Sequence, residues 1–158
     1  YEAVRSKRVE LMDNYVEKNG IEVKSGAKEL LSFLKENGYK VALATATPPQ
    51  RAERYLKAHD LYKYFDVTVS ASMVSVGKPA PDIYLKAAEM LGLSPQNCVA
   101  LEDSPNGIKS ASSAGCVTVM VPDLDKPSND IIPLLHGVAD GLSDVKRILR
   151  ELEDCNIQ

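Results

Sequence analysis

The sequence predicts an α/β protein with an open parallel sheet covered by helices on both faces. One observation is that short apolar segments alternate with segments whose apolar residues recur every three or four positions. Another is that prolines and glycines separate these segments at the expected starts and ends of helices. Alternating strands and helices form βαβ units, which build parallel sheets. The length of 158 residues fits one domain with its own core.

Six helices are expected, and most of their ends carry a residue typical of a helix terminus. They are predicted at residues 2–19, 27–37, 48–59, 80–91, 104–115 and 142–153. Ser25 is the expected N-cap of the second helix, because a serine hydroxyl accepts a hydrogen bond from the first turn. Gly38, Gly92 and Gly115 follow three of the helices, where glycine commonly closes the last turn.

Four apolar segments of strand length lie between these helices. They are residues 39–47, 65–71, 98–103 and 116–121, and residues 137–140 are a candidate edge strand. Nearly continuous apolar runs are typical of parallel strands buried on both faces. Ligands of such sheets bind beyond the carboxyl ends of the strands, so the candidate site residues are those that follow the strands.

Composition and charge argue against several classes of function. The net charge of −3, with 44% apolar and 26% charged residues, is typical of a globular protein and gives no nucleic-acid or polybasic membrane signal. No apolar run approaches the roughly 20 residues of a membrane span. The three cysteines are far apart and odd in number. They indicate a reducing compartment, so we expect a cytoplasmic protein without a disulfide framework or zinc site.

One lysine lies in an unusually restricted loop, within the segment VSVGKPAPDIY (74–84). Pro79 and Pro81 fix their own φ angles and restrict the residues that precede them. The loop therefore holds the start of the Lys78 side chain in a definite direction. A solvated surface lysine needs no such support, so Lys78 is a candidate site residue.

The predicted strand ends bring complementary groups to the same rim. The first strand ends at Thr45-Ala46, the third ends at Glu102-Asp103, and Lys78 lies in the loop after the second. Hydroxyl and backbone N–H groups at a strand-to-helix turn suit a phosphate, and a lysine adds a compact positive charge. Two adjacent carboxylates beside a phosphate favour Mg²⁺, a hard cation that takes oxygen ligands. The rim is therefore a candidate phosphate and magnesium site.

Each of these residues alone also has an ordinary structural explanation. Thr45 suits a β-strand by its branched side chain. Asp103-Ser104 is equally expected as the N-cap of the helix that follows. Lysines in loops are mostly solvated. Together, in this order and at equivalent strand ends, the residues favour a site over three independent structural roles.

The segments VALATAT (41–47), GKPAPDIY (77–84) and ALEDSPNGIKSASSAG (100–115) carry a family resemblance. In this order and spacing they resemble three motifs of the haloacid dehalogenase (HAD) superfamily of phosphatases and phosphomutases, in the β-phosphoglucomutase-like branch. The resemblance covers essentially the whole chain. It implies a Rossmann-like HAD core at residues 23–158, and it implies that residues 1–22 are the last helix of a helical cap.

The resemblance also implies roles for individual residues. Thr45 and the Ala46 N–H would bind the transferring phosphoryl group, and Lys78 would neutralise charge as a catalytic residue. Asp103 with Glu102 would hold Mg²⁺.

Asn106 lies close enough in the acidic motif to touch the substrate or a loop. The implied reaction is Mg²⁺-dependent phosphoryl transfer through an aspartyl-phosphate, on a small phosphomonoester such as a sugar phosphate. Phosphatase and mutase chemistry share every motif seen here.

The first motif of the family, Asp-x-Asp-Gly-Thr with its nucleophilic aspartate, is missing from these 158 residues. The only Asp-x-Asp is Asp123-Leu124-Asp125; it follows the acidic motif instead of preceding the threonine, and we interpret it as a surface loop. The strand that carries the first motif would lie between the strands ending at Thr45 and Glu102.

We therefore expect this chain to be a fragment of an enzyme and to be inactive by itself. The expected partner of the enzyme is a small phosphorylated metabolite. We also expect the missing amino-terminal segment, or a strand swapped from a second copy, to fill the gap in its sheet. The alternative is a non-catalytic HAD-like module for binding or assembly. The lysine and the carboxylate pair favour the enzyme.

Overall fold

The computed structural model describes residues 2–123 and 126–155, in which six α-helices and five β-strands alternate. The helices are α1 (Glu2–Asn19), α2 (Ala27–Glu36), α3 (Pro49–Ala58), α4 (Asp82–Leu91), α5 (Pro105–Ala114) and α6 (Val145–Cys155). The strands are β1 (Ala42–Thr45), β2 (Val67–Ser70), β3 (Val99–Glu102), β4 (Val117–Met120) and β5 (Gly137–Val138). The predicted α/β class is confirmed, and every predicted strand is present in shortened form.

The start of α2 differs from the prediction, because Gly26 and not Ser25 is the N-cap. Gly26 has a φ of 81°, and no side chain caps this helix. A Cβ at Gly26 would lie 3.0 Å from the backbone nitrogen of Ser143, so glycine is also required by the close approach of the chain before α6. The Ser25 side chain therefore precedes the capping position by one residue.

Two other helices begin later than predicted, because tight turns precede them. The Ala80 N–H donates to the Gly77 carbonyl at 3.1 Å, so α4 begins after this turn and after Pro81. The Asp144 N–H donates to the Gly141 carbonyl at 3.1 Å, and α6 begins only at Val145. Proline, serine and aspartate occur in turns as well as in the first turn of a helix, so the sequence pattern placed both helix starts too early.

All strand pairs are parallel, but they form two sheets instead of one. One sheet is β1–β2, and the other has the order β3–β4–β5 with β4 in the centre. Within residues 2–123 and 126–155, the free edges of β1 and β3 pair with no other strand. The division falls at the position where the family resemblance implies a further central strand.

Helices cover both faces of the larger sheet. Successive side chains of a strand point to opposite faces. Val119 of β4 is fully buried in a cluster with Val145 and Ile148 of α6, and Leu30 of α2 belongs to the same cluster. On the other face, Ala100 of β3 packs with buried alanines of α5.

The amino-terminal helix α1 is joined to α3 by an ion pair, in which Arg51 Nη2 lies 2.8 Å from Asp13 Oδ2. Its Leu11, Met12 and Tyr15 are largely exposed. The boundary between a cap remnant at residues 1–22 and the core stays a prediction. Within the described ranges, we find no helix whose length and apolar character would let it cross a bilayer.

The Asp-x-Asp segment lies only partly within the described residues. Asp123 is exposed, and its carboxylate lies 3.4 Å from Lys24 Nζ. Leu124 and Asp125 lie outside the described residues. The interpretation of this segment as a surface loop therefore agrees with the position of Asp123 and stays a prediction for the other two residues.

The core cluster under α6 predicts a large difference between two isoleucines. Ile148 is 5% exposed and Ile132 is 53% exposed. We expect Ile148→Ala to lower the free energy of unfolding by about 2 to 5 kcal/mol, because it leaves a cavity beside β4. Ile132→Ala is the matched control and should change it by less than about 1 kcal/mol. Urea denaturation measures both, and equal losses would contradict the assigned packing.

Candidate functional site

Lys78 lies between the carboxyl ends of the two sheets. Its ammonium forms an ion pair with the Glu102 carboxylate at the end of β3, and it lies 3.4 Å from the Ala44 carbonyl oxygen of β1. It also donates to the Tyr84 hydroxyl at 3.4 Å. The side chain is only 22% exposed. This single cation therefore connects the ends of β1 and β3, at the rim where the sequence predicts a site.

The loop that carries Lys78 is restricted, as its two prolines predict, and hydrogen bonds on either side of Pro79 hold it further. The Lys78–Pro79 peptide bond is cis, and the Ala80 N–H closes the turn onto the Gly77 carbonyl. The Ala80 carbonyl in turn accepts a hydrogen bond from the Ser110 hydroxyl of α5 at 2.6 Å. The first atoms of the Lys78 side chain are therefore fixed by the turn and by α5.

The Glu102 carboxylate is almost completely buried, with 7% of its side chain exposed. Its Oε1 atom accepts hydrogen bonds from Lys78 and from the Tyr84 hydroxyl, and its Oε2 atom accepts one from the Ser104 hydroxyl at 3.3 Å. A buried charge is tolerated when it is paired and hydrogen-bonded in this way. Gly107 lies directly beside it, and a Cβ there would overlap the carboxylate.

Tyr84 is a member of this cluster that the sequence analysis missed. Its ring centroid lies 5.0 Å from Lys78 Nζ. Burial, together with the adjacent Glu102 charge, raises the pKa of Tyr84 far above its ordinary value, so the hydroxyl stays protonated and remains a donor to Glu102. The available signal was a tyrosine in the first turn of the helix that follows the lysine loop.

Thr45 lies at the last position of β1, and its hydroxyl accepts a hydrogen bond from the Thr47 N–H at 3.0 Å. Ala46 is exposed in the turn that leads to α3. The Thr45 side chain is therefore ordered by its own turn beside the Ala44 carbonyl that Lys78 contacts. The structure brings Thr45, Lys78 and Glu102 to the same rim.

Asp103 and Asn106 lie on the outer side of the same turn, and both are exposed. The predicted N-cap is confirmed for Ser104, whose hydroxyl accepts a hydrogen bond from the Gly107 N–H at 3.2 Å. Asp103 forms no hydrogen bond or ion pair within the part of the chain that the structure describes. Its carboxylate is thus not used for capping, whereas that of its neighbour Glu102 is bound by three donors.

The carboxylates fit a metal only in part. Mg²⁺ takes oxygen ligands and usually keeps several waters beside one or two carboxylates and substrate oxygens. The exposed Asp103 carboxylate has the chemistry and position for one such ligand, whereas the Glu102 oxygens are occupied by donors. Among residues 2–123 and 126–155, no group of three or more His, Cys, Asp or Glu residues is placed to hold a metal ion. The described residues therefore provide an incomplete donor set of the right kind.

The site is thus built at the carboxyl ends of parallel strands in an α/β domain, with Thr45 ending β1, Glu102 ending β3 and Lys78 placed between them. A family model described as haloacid dehalogenase-like hydrolase matches residues 2–115. The chain therefore belongs to the haloacid dehalogenase-like hydrolase family, as the three sequence motifs predicted.

Two curated relatives are phosphatases of phosphorylated sugars or sugar alcohols by name. The phosphorylated carbohydrates phosphatase of Thermotoga maritima is 40% identical over 124 residues, which are 78% of this chain and 50% of that protein. Hexitol phosphatase B of Escherichia coli K12 is 40% identical over 97 residues, which are 61% of this chain and 44% of that protein. The chain thus spans about half the length of these relatives.

A solved structure supports the predicted branch of the family. The β-phosphoglucomutase of Clostridium difficile matches with a TM-score of 0.73 and 25% identity, over 86% of this chain and 59% of that one. The predicted resemblance to the β-phosphoglucomutase-like branch is confirmed.

The close packing of Gly107 against Glu102 predicts a specific sensitivity. Gly107→Ala should displace the Glu102 carboxylate from Lys78, because the new Cβ occupies its place. We expect a loss of about 1 to 3 kcal/mol in the free energy of unfolding, the usual cost of overpacking. Gly141→Ala is the control, since a Cβ there would have no heavy atom of the described residues within 4 Å apart from its chain neighbours. Equal urea midpoints for the two variants would contradict the described packing.

Proposed function

We propose that the protein containing this chain is a Mg²⁺-dependent phosphatase or phosphomutase that acts on a small phosphomonoester such as a sugar phosphate. In this proposal the chain provides the phosphate-binding and charge-neutralising part of the active site. The observation that carries it is the position of the Lys78 ammonium, fixed between the ends of β1 and β3 by Glu102 and the Ala44 carbonyl. The names of the two phosphatase relatives support the substrate class.

The proposed roles follow from the chemistry of each group at the rim. The Thr45 hydroxyl and the Ala46 N–H donate hydrogen bonds to oxygens of the transferring phosphoryl group. Lys78 acts as a catalytic residue, because its positive charge offsets the negative charge of the phosphate and of the neighbouring carboxylates. Glu102 and the Lys78 loop hold this charge in place before substrate binds, which reduces the reorganisation needed during reaction.

For the metal we propose a shared site in which Asp103 is the direct ligand from this chain. Its neighbour Glu102 is not a direct ligand in this proposal, because its carboxylate is paired with Lys78. A bound Mg²⁺ would neutralise phosphate charge and orient the substrate. Asn106, exposed in the first turn of α5, is proposed to contact the substrate or a loop above the rim.

The proposed reaction proceeds through an aspartyl-phosphate. An aspartate oxygen forms a bond to phosphorus while the bond between phosphorus and the ester oxygen breaks. The leaving ester oxygen takes its proton from the second, acid/base aspartate of the Asp-x-Asp motif and departs as the alcohol. Water, or a hydroxyl of a second sugar phosphate, then takes the phosphoryl group from the aspartate.

We propose that the nucleophilic aspartate comes from a strand that fills the division between β1 and β3. This strand would be an amino-terminal segment outside these 158 residues, contributed by the same molecule or swapped from a second copy that also carries it.

The metal assignment predicts the behaviour of Asp103→Asn in the full-length protein. Loss of the charged oxygen ligand should raise the Mg²⁺ concentration needed for half-maximal activity and lower kcat by about 10²-fold or more. Asp154→Asn on the exposed end of α6 is the control and should leave both values unchanged. Activity assays over a range of Mg²⁺ concentrations measure the effect. Wild-type activity of Asp103→Asn at low Mg²⁺ would contradict the assignment.

The role of Lys78 predicts a loss of turnover in a protein that still folds but is less stable, because the buried Glu102 carboxylate loses its cation. Lys78→Ala should lower kcat by about 10² to 10³-fold, because it removes the charge that stabilises the transition state. Lys78→Arg should recover only part of it, since a planar guanidinium does not replace a compact ammonium in this loop. Lys57→Ala, which removes another ion-paired lysine, is the control. An unchanged rate of phosphate release in Lys78→Ala would show that Lys78 has another role.

The proposed origin of the nucleophile predicts that residues 1–158 alone do not hydrolyse phosphomonoesters. We expect no Mg²⁺-dependent release of phosphate from an aryl phosphate by the purified chain. Addition of a peptide that carries an apolar strand followed by Asp-x-Asp-Gly-Thr should restore activity and raise the melting temperature. Turnover by the chain alone would contradict the proposal and require a nucleophile within these residues.

A further inference from the structure

Tyr84 contacts both halves of the divided sheet. Its side chain packs against the cluster around Ala100 of β3 and Cys116 before β4. It also packs against the cluster of Val69 in β2 and Ile83 in α4. In the parts of the chain that the structure describes, β1–β2 and β3–β4–β5 share no strand pairing. The spacing between the two halves therefore depends on side chains that touch both, and Tyr84 is one of them.

The Tyr84 hydroxyl also belongs to the charged cluster. It donates to Glu102 Oε1, the same atom that the Lys78 ammonium binds, and it accepts a hydrogen bond from Lys78 Nζ at 3.4 Å. Its ring lies beside the same ammonium, with Nζ 5.0 Å from the ring centroid. Lysine has a long and flexible side chain, so one anionic partner alone leaves its ammonium free to move around that partner. The hydroxyl and the ring of Tyr84 restrict this movement.

We propose that Tyr84 is a positioning residue that acts through Lys78 and Glu102: its ring packs against both half-sheets, and its hydroxyl holds the Lys78 ammonium and the Glu102 carboxylate next to each other below the proposed phosphate position. This inference rests on the proposed function and deepens it, because it names a residue that determines where the catalytic charge lies. The role proposed for Tyr84 requires no contact with the substrate or the reacting atoms.

Two variants separate the contribution of the Tyr84 hydroxyl from that of its ring. Tyr84→Phe keeps the ring and its packing and removes only the hydroxyl. Tyr84→Leu removes the ring as well. Tyr39→Phe is a matched control, because the Tyr39 hydroxyl donates to Glu153 in a second tyrosine–glutamate pair away from the rim. All three are made in the full-length protein.

The first measurement is steady-state hydrolysis of an aryl phosphate at saturating Mg²⁺, together with the melting temperature. For Tyr84→Phe we expect kcat to fall by about tenfold, since small displacements of a catalytic charge are costly, while KM and the melting temperature stay near the wild-type values. Tyr84→Leu should lower the melting temperature as well. If Tyr84 had only a structural role, Tyr84→Phe would have the wild-type kcat, because phenylalanine keeps the packing of the ring.

The second measurement does not depend on activity. In ¹H–¹⁵N spectra of lysine ammonium groups at low temperature, a held ammonium gives a resolved signal, assigned as the one that Lys78→Arg removes. We expect this signal in the wild type and in Tyr39→Phe, and we expect it to broaden or shift in Tyr84→Phe.

The outcomes separate this inference from the proposed function. Wild-type kcat in Tyr84→Phe overturns the positioning role, and so does a wild-type protein without a resolved Lys78 ammonium signal. If the wild-type full-length protein hydrolyses no phosphomonoester, the proposed function fails. The ammonium signal of Tyr84→Phe then decides alone whether Tyr84 orders Lys78: a changed signal supports the inference, and an unchanged signal overturns it.

Discussion

The ion pair of Lys78 and Glu102 is the interaction on which the rim depends. It joins a loop that follows β2 to the last residue of β3, and Lys78 also reaches the Ala44 carbonyl of β1. A buried carboxylate without a partner costs several kcal/mol, so Glu102 requires a cation at this place. Away from bulk water the attraction between the two charges is also stronger than at the surface. The restricted lysine loop, the small residue at Gly107 and the hydroxyl of Ser104 all serve to accommodate this pair.

Because the sheet is divided, the helices must hold its two parts together. One sheet has two strands and the other has three, and the hydrogen bonds between strands stabilise each sheet by itself. They do not fix the spatial relation of one sheet to the other. That relation depends on α4 and α5, which pack against each other as well as on the strands. The same edges that leave β1 and β3 unpaired expose backbone groups that a further strand would satisfy. The stability of the fold and the completion of the site are therefore linked, because we propose that one strand between β1 and β3 provides both.

Membership of the haloacid dehalogenase-like family explains the order of the groups at the rim, but the family fold alone does not select a substrate. The chain spans about half the length of its phosphatase relatives. We propose that its groups at the rim bind the phosphate, neutralise its charge and orient it. None of these groups distinguishes one phosphorylated sugar from another. We therefore propose that the strand ends recognise the phosphate and that contacts to the rest of the substrate come from elements above this rim.

The sequence by itself determined the α/β class, the strand order along the chain, the site candidates Thr45, Lys78 and Asp103, and the family, because these follow from local periodicity and short motifs. The division of the sheet was already implied by the missing first motif. Only the tertiary structure decided that Glu102 faces inward to Lys78 while its neighbour Asp103 faces out, and that Tyr84 completes the cluster. The reason is physical: periodicity records which face of an element is apolar, whereas the partner of a charge and the pairing of a strand edge depend on segments distant in the chain that only folding brings into contact.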